Sequence, residues 1–116
     1  MFIATIVVTI LSAVTLLISA TGKLMKMPAI VTSLGAAGVP LNRFPHLAAL
    51  EIAAGVGLII GLFWLPLGIA AGIGAVLYFV GAIVAHLRVG DTKGVNGPVV
   101  PLLLAIAALV LRLLTS

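Results

Sequence analysis

Charged side chains are so sparse along this 116-residue chain that they divide it by themselves. Uncharged, apolar sequence runs from Met1 to Gly22, from Leu47 to Leu65 with Glu51 as its one interruption, from Pro66 to Ala85, and from Gly94 to Leu111. An α-helix rises about 1.5 Å per residue, so a hydrocarbon core about 30 Å thick takes roughly 20 residues to cross, with about 17 as the lower limit. All four runs meet that limit, the last with least to spare. None alternates polar and apolar at every second residue, as a barrel strand would, and inside lipid only helices and closed barrels satisfy every backbone group. The pattern predicts an all-α fold: a four-helix transmembrane bundle forming a single membrane domain over 1–116, with spans at about 2–22, 47–64, 66–86 and 98–113.

The connections differ in character. Phe63-Trp64-Leu65-Pro66 is a short link, with a tryptophan suited to the membrane interface and a proline suited to a helix's first turn, and it forces an antiparallel hairpin. The first connection, Lys23 to His46, contains Pro28-Ala29-Ile30-Val31-Thr32-Ser33-Leu34, apolar enough for a short interfacial helix that caps the bundle's end before Gly35 and Gly38-Val39-Pro40. The third, Leu87 to Pro98, is the one polar stretch, with Gly90, Asp91, Gly94, Asn96 and Gly97 as turn formers.

Composition agrees. The chain is 64% hydrophobic and 7% charged with a mean hydropathy of +1.48, against about a quarter charged residues in a soluble protein. Net charge is +4, but the cations are few, scattered and without interleaved aromatics, so no nucleic-acid partner is expected. They suit anionic lipid headgroups instead. No cysteine is present, which removes disulfides, thiolate nucleophiles and cysteine-held metals from the chain's own repertoire. Met1-Phe2-Ile3-Ala4 offers no basic stretch ahead of the first apolar run, so that run reads as a retained span rather than a cleaved signal. With four spans, the first and third connections share a side and hold Lys23, Lys26, Arg43, Arg88 and Lys93, while the other side holds Arg112. The positive-inside rule then sets both termini outside.

Nearly every ionisable group therefore belongs to one pole. Glu51 is the sharpest signal within it, because an unpaired carboxylate inside a span costs several kcal/mol and must be paired, protonated or wet. Ala48, Ala54 and Gly55, three or four positions away, leave room for a second helix beside it. Its candidate partners are Lys23, His86 and Arg88. A structural ion pair and a ligand-binding or proton-handling group both stay open. Thr5, Thr9, Ser12, Ser19 and Lys23 form one stripe along the first span, with Leu16 in its gap. Ser12 and Ser19 either line a cleft that leads to Lys23 or simply pack and bond to their own helix. His46 and His86 lack a third ligand, and no metal or haem site is expected. Gly57 with Gly61 and Gly68 with Gly72 make two GxxxG pairs, usable inside the bundle or between protomers.

Ser19-Ala20-Thr21-Gly22-Lys23-Leu24, Gly38-Val39-Pro40, Leu50-Glu51 with the glycine-rich run to Gly61-Leu62, and Ala85-His86-Leu87-Arg88-Val89-Gly90-Asp91 follow one another in an order and spacing that resembles the small DoxX-like membrane proteins. The resemblance implies a four-helix bundle in a bacterial cytoplasmic membrane and marks Lys23, Glu51, His86, Arg88 and Asp91 as the family-like positions. Such relatives include membrane subunits associated with thiosulfate:quinone oxidoreduction, a mycobacterial member linked to a superoxide dismutase and a sulfurtransferase, and animal assembly chaperones for nicotinic receptors. What they share implies an accessory or docking protein for redox or stress-response partners. It implies no autonomous catalysis, a lipid or quinone as the one class of small ligand, and membrane lipids, a redox partner protein or a second copy as partners. The residues leave two other readings open: a small proton-coupled homo-oligomeric transporter using Glu51, and a membrane enzyme acting on a lipid or quinone with Glu51 and His86 as acid and base.

Overall fold

The computed structural model describes residues 2–90 and 96–115. Its elements are α1 (Phe2–Leu24), α2 (Pro28–Ala36), a 3₁₀ turn (Leu41–Arg43), α3 (Phe44–Ile60), α4 (Leu65–Arg88) and α5 (Asn96–Leu114), and no strand occurs among the described residues. Helices α1, α4 and α5 are long and apolar enough to cross a membrane, and α3 is a shorter apolar helix. Around the molecule α1 packs on α3 and α5, and α4 packs on the same two helices.

The core of this arrangement is small and the exterior is large. Ala13, Ala71, Ala75 and Ala105 are buried with Leu16, Leu58 and Phe79, whereas Ile3, Ile18, Leu50, Leu77, Val100 and Leu103 face outward. A water-soluble bundle would invert that order, since contiguous apolar surface on this scale drives aggregation. In lipid there is no hydrophobic gain from burying leucine, and helices associate instead where small residues let backbones approach. This is a multi-pass integral membrane protein.

Helices α3 and α4 approach each other backbone to backbone. A methyl group on Gly68 would stand 2.8 Å from the Gly61 carbonyl oxygen, and one on Gly57 would stand 2.9 Å from the Ala71 methyl. The two GxxxG pairs are thus used within the chain: Gly57, Gly61 and Gly68 line the α3–α4 crossing, while Gly72 faces Leu109 of α5. Trp64 is extended and Pro66 falls in the first turn of α4, where a missing N–H costs nothing.

Element ends follow the local chemistry. Helix α1 closes with Met27 N–H donating to the Gly22 carbonyl, a turn that holds Lys26 at φ 51°. Helix α2 then doubles back, and Ile30 occupies the space a side chain on Gly22 would need. Gly38 and Gly90, at φ 83° and 74°, supply the left-handed residues that follow α2 and α4. Helix α3 starts at Phe44 rather than near Leu47, with Pro45 in its first turn. Glu51 therefore lies two turns, about 10 Å, from that helix's start.

Candidate functional site

Lys23 on the last turn of α1 and Glu51 on α3 are brought together by the α1–α3 crossing, where Gly55 faces the Ala13 carbonyl and Leu17 and Ala48 is fully buried. Nζ of Lys23 stands 2.7 Å from Oε1 of Glu51, and the same ammonium donates to Oγ of Ser19, 2.7 Å away and one turn back on α1. Glu51 is 0% exposed and Lys23 6%. Two charges removed from water this completely persist only as a pair, because either alone would carry an uncompensated desolvation cost.

A third helix joins the pair. The Lys23 ammonium lies 5.8 Å from the centroid of the Tyr78 ring on α4, within the range where a cation is held by the ring's negative face. No hydrogen bond reaches either carboxylate oxygen of Glu51. Coulombic attraction to Lys23 is therefore what chiefly holds Glu51. Phe79 packs edge-on to Tyr78 with ring centroids 5.3 Å apart, fixing the ring that faces the cation. His86, 3% exposed, lies two turns along α4 from Tyr78.

Beside this cluster opens a cavity of about 210 Å³, lined by the polar Ser19, Lys23, Tyr78 and His86 and by the apolar Ile30, Leu34 and Phe79. Gly97, Pro98 and Pro101 of α5 close it. Pro101 lacks the N–H that would otherwise bond the Gly97 carbonyl within the helix, so the α5 wall lacks that one helical hydrogen bond. A second cavity of about 240 Å³ shares Leu34, Tyr78, Ala82 and His86 with the first. Both are lined by the Tyr78–His86 face of α4 and by Leu34 of α2.

Of the residues singled out in the sequence, Lys23, Glu51, Ser19 and His86 meet in this cluster or line its cavity. Arg88 is exposed on the last turn of α4 and outside the cavity's lining. Asp91 lies outside the described residues. Ser12 is 1% exposed, with no hydrogen-bond partner for its hydroxyl, farther along α1 and apart from the cavity. Among the described residues no group of three or more His, Cys, Asp or Glu side chains is placed to hold a metal.

Tyr78 was missed by the sequence reading, although its signal is present. It is the chain's one tyrosine and sits in an apolar run, with Ala82 and His86 following at four-residue steps on the same helix face. The contribution of Ile30 and Leu34 depends on how α2 folds back, which no spacing rule specifies.

The sequence profile of the DoxX-like family matches residues 7–108, a stretch that takes in α1 through most of α5. The chain belongs to the DoxX-like family. No curated protein and no solved structure matched it. Within this DoxX-like protein the Lys23–Glu51 pair, Tyr78 and His86 all lie inside the matched stretch, as do both cavities.

Proposed function

We propose that this DoxX-like protein is a membrane-embedded accessory or docking protein for redox or stress-response partners, with a pocket at its Lys23–Glu51 pole for the head of a lipid or quinone. In this reading α3 is the fourth span: its 17 residues rise about 26 Å, and the uncharged Gly61–Trp64 link extends them. Lys23, Lys26, Arg43, Arg88 and Lys93 then face the cytoplasm of a bacterial cell, both termini lie outside, and the pocket opens at the inner leaflet.

The observation that carries the reading is the mixed polar and apolar lining of the cavity. A purely structural ion pair is best sealed by close packing, whereas Lys23 and His86 here border open space of about 210 Å³ that Ile30, Leu34 and Phe79 also line. A few polar groups in an otherwise apolar pocket suit a ligand with an oxygen-bearing head and a hydrocarbon body. Lys23, Ser19, Tyr78 and His86 would orient the head, with Glu51 holding Lys23 in place, and the exposed Arg88 together with Asp91 would serve a docking protein. Ser12 has no direct role in this pocket.

Purification in a mild detergent followed by solvent extraction tests both halves. Wild-type protein is expected to retain a lipophilic molecule or a partner protein, and Lys23→Met to lose the bound molecule. Recovery of wild-type protein with neither would overturn the proposal.

One observation favours a second reading. Glu51 is wholly buried within an apolar helix, where a carboxylate that alternates between Lys23 and a proton would serve proton-coupled transport. Proteoliposomes with an imposed proton gradient decide it: substrate-driven proton flux unchanged in Glu51→Gln would eliminate transport through this residue.

A further inference from the structure

The opposite pole carries a feature that the Lys23–Glu51 site does not use. A groove of about 490 Å³ runs between the start of α1 and the ends of α3 and α5, lined by Phe2, Ile6, Ile10, Ile59, Phe63 and Arg112 among others. Its volume falls within the roughly 300–1,000 Å³ of small-ligand sites. The aliphatic walls are open to the surroundings, with Ile6 43% and Ile10 44% exposed.

Arg112 is half-buried at one edge. Its Nε donates to the Gly61 carbonyl oxygen at 2.9 Å, placing a cation at the C-terminal end of α3, where the helix dipole favours it. A guanidinium has five N–H donors, so this bond leaves four on the two terminal nitrogens. Among the described residues no carboxylate pairs with Arg112, the one ion pair being Lys23 with Glu51 at the other pole. A fixed cation beside an apolar trough matches an anion joined to a hydrocarbon chain, and the planar guanidinium suits a phosphate's paired oxygens.

We propose that this groove is a binding site for an anionic phospholipid of the leaflet at the Arg112 pole, its phosphate on the guanidinium and one acyl chain along Ile6, Ile10 and Ile59. The site is independent of the Lys23–Glu51 pocket, and a failure of either leaves the other standing. Its role is to tie the α1 start to the α3 and α5 ends with a lipid in place of a packed side chain.

Trp64, the chain's one tryptophan, follows Phe63 of the groove wall and is the fluorescent reporter nearest to it in sequence. The full chain is reconstituted in phosphatidylcholine vesicles, and Trp64 fluorescence is quenched with dibrominated phosphatidylglycerol or dibrominated phosphatidylcholine. Wild-type protein is expected to be quenched at a several-fold lower mole fraction of the anionic lipid. Arg112→Gln should make the two lipids equivalent, and Arg112→Lys should retain part of the preference. Ile10→Phe, which fills the trough and leaves the cation intact, should reduce it and keeps the test available if Arg112→Gln fails to fold. Equal quenching of wild type by both lipids, or an anionic preference unchanged in Arg112→Gln or in Ile10→Phe, would overturn the proposal.

Discussion

Removing the Lys23 ammonium while keeping its bulk, as Lys23→Met does, leaves the Glu51 carboxylate 0% exposed with its 2.7 Å partner gone. The carboxylate must then remain ionised against its desolvation cost, take up a proton or draw water into the helix crossing, and each outcome weakens the fold. Breaking a buried pair on one side costs about 3–5 kcal/mol, whereas replacing both partners by apolar groups is often close to neutral. The single variants Lys23→Met and Glu51→Leu should therefore each lose about 3 kcal/mol or more, and the double variant should recover most of it, giving a coupling energy of about 5 kcal/mol, above the roughly 0.5–3 kcal/mol usual for residues in contact. Folded fraction measured by circular dichroism across a titration from mild to denaturing detergent supplies the four free energies of the cycle. Losses that simply add, with coupling below about 0.5 kcal/mol, would refute the claim that each charge is held by the other.

The α3–α4 crossing makes a sharper demand. Gly61→Ala should destabilise by at least about 1–3 kcal/mol, the range for overpacking, because the added methyl meets backbone of Gly68 rather than a flexible side chain. Gly74→Ala, where nothing lies near the added methyl, should stabilise by about 0.5–1 kcal/mol through helix propensity alone; the same detergent titration ranks the pair, and equal effects would contradict the packing. Tyr78→Phe retains the ring over Lys23 but removes the phenol. It should keep the folded fraction within about 1 kcal/mol, the net worth of one hydrogen bond, while reducing recovery of an extracted lipophilic ligand; full retention would separate Tyr78 from the pocket. Gly22→Val should displace Ile30 and with it α2, read as faster amide exchange over Pro28–Ala36 with α3 unchanged. Protection of α2 as strong as in wild type would contradict that docking.

Membrane placement and the all-helical fold are legible from charge sparsity alone, because a span is a one-dimensional property: enough consecutive apolar residues, bounded by charge or proline. The boundary of α3 shows the limit of that rule. Counting uncharged residues begins the segment near Leu47, yet Phe44-Pro45-His46 already lies in the helix, since helix formation answers to backbone propensity and a proline in the first turn rather than to charge. At the site, Lys23 with Ser19 is local and follows from four-residue spacing, and the small neighbours Ala48 and Gly55 signal where α1 approaches Glu51. The choice of Lys23 over Arg88 or His86 as the ion-pair partner is not local. It depends on the rotation of α1 against α3, fixed by Ala13 and Leu17 meeting Gly55. Tyr78 reaches the pair from α4, which packs on α3 and α5 rather than alongside α1, so no pairwise spacing rule could bring it in.

The two ends of the molecule handle charge in opposite ways, and the difference follows from what lies next to each cation. At the Lys23 pole the ammonium meets a carboxylate, a hydroxyl and an aromatic face. Its charge is balanced before any ligand arrives, and a bound molecule there is selected by hydrogen bonding and shape more than by net charge. At the Arg112 pole a single backbone carbonyl receives one N–H and the positive charge is left uncancelled among the described residues. A molecule bound there is selected by its negative charge. A neutral oxygen-bearing lipophile should therefore discriminate the first site from the second, and an anionic lipid the second from the first. Raising ionic strength would weaken the exposed, unbalanced site far more than the buried, balanced one, because screening acts on charges that solvent can reach.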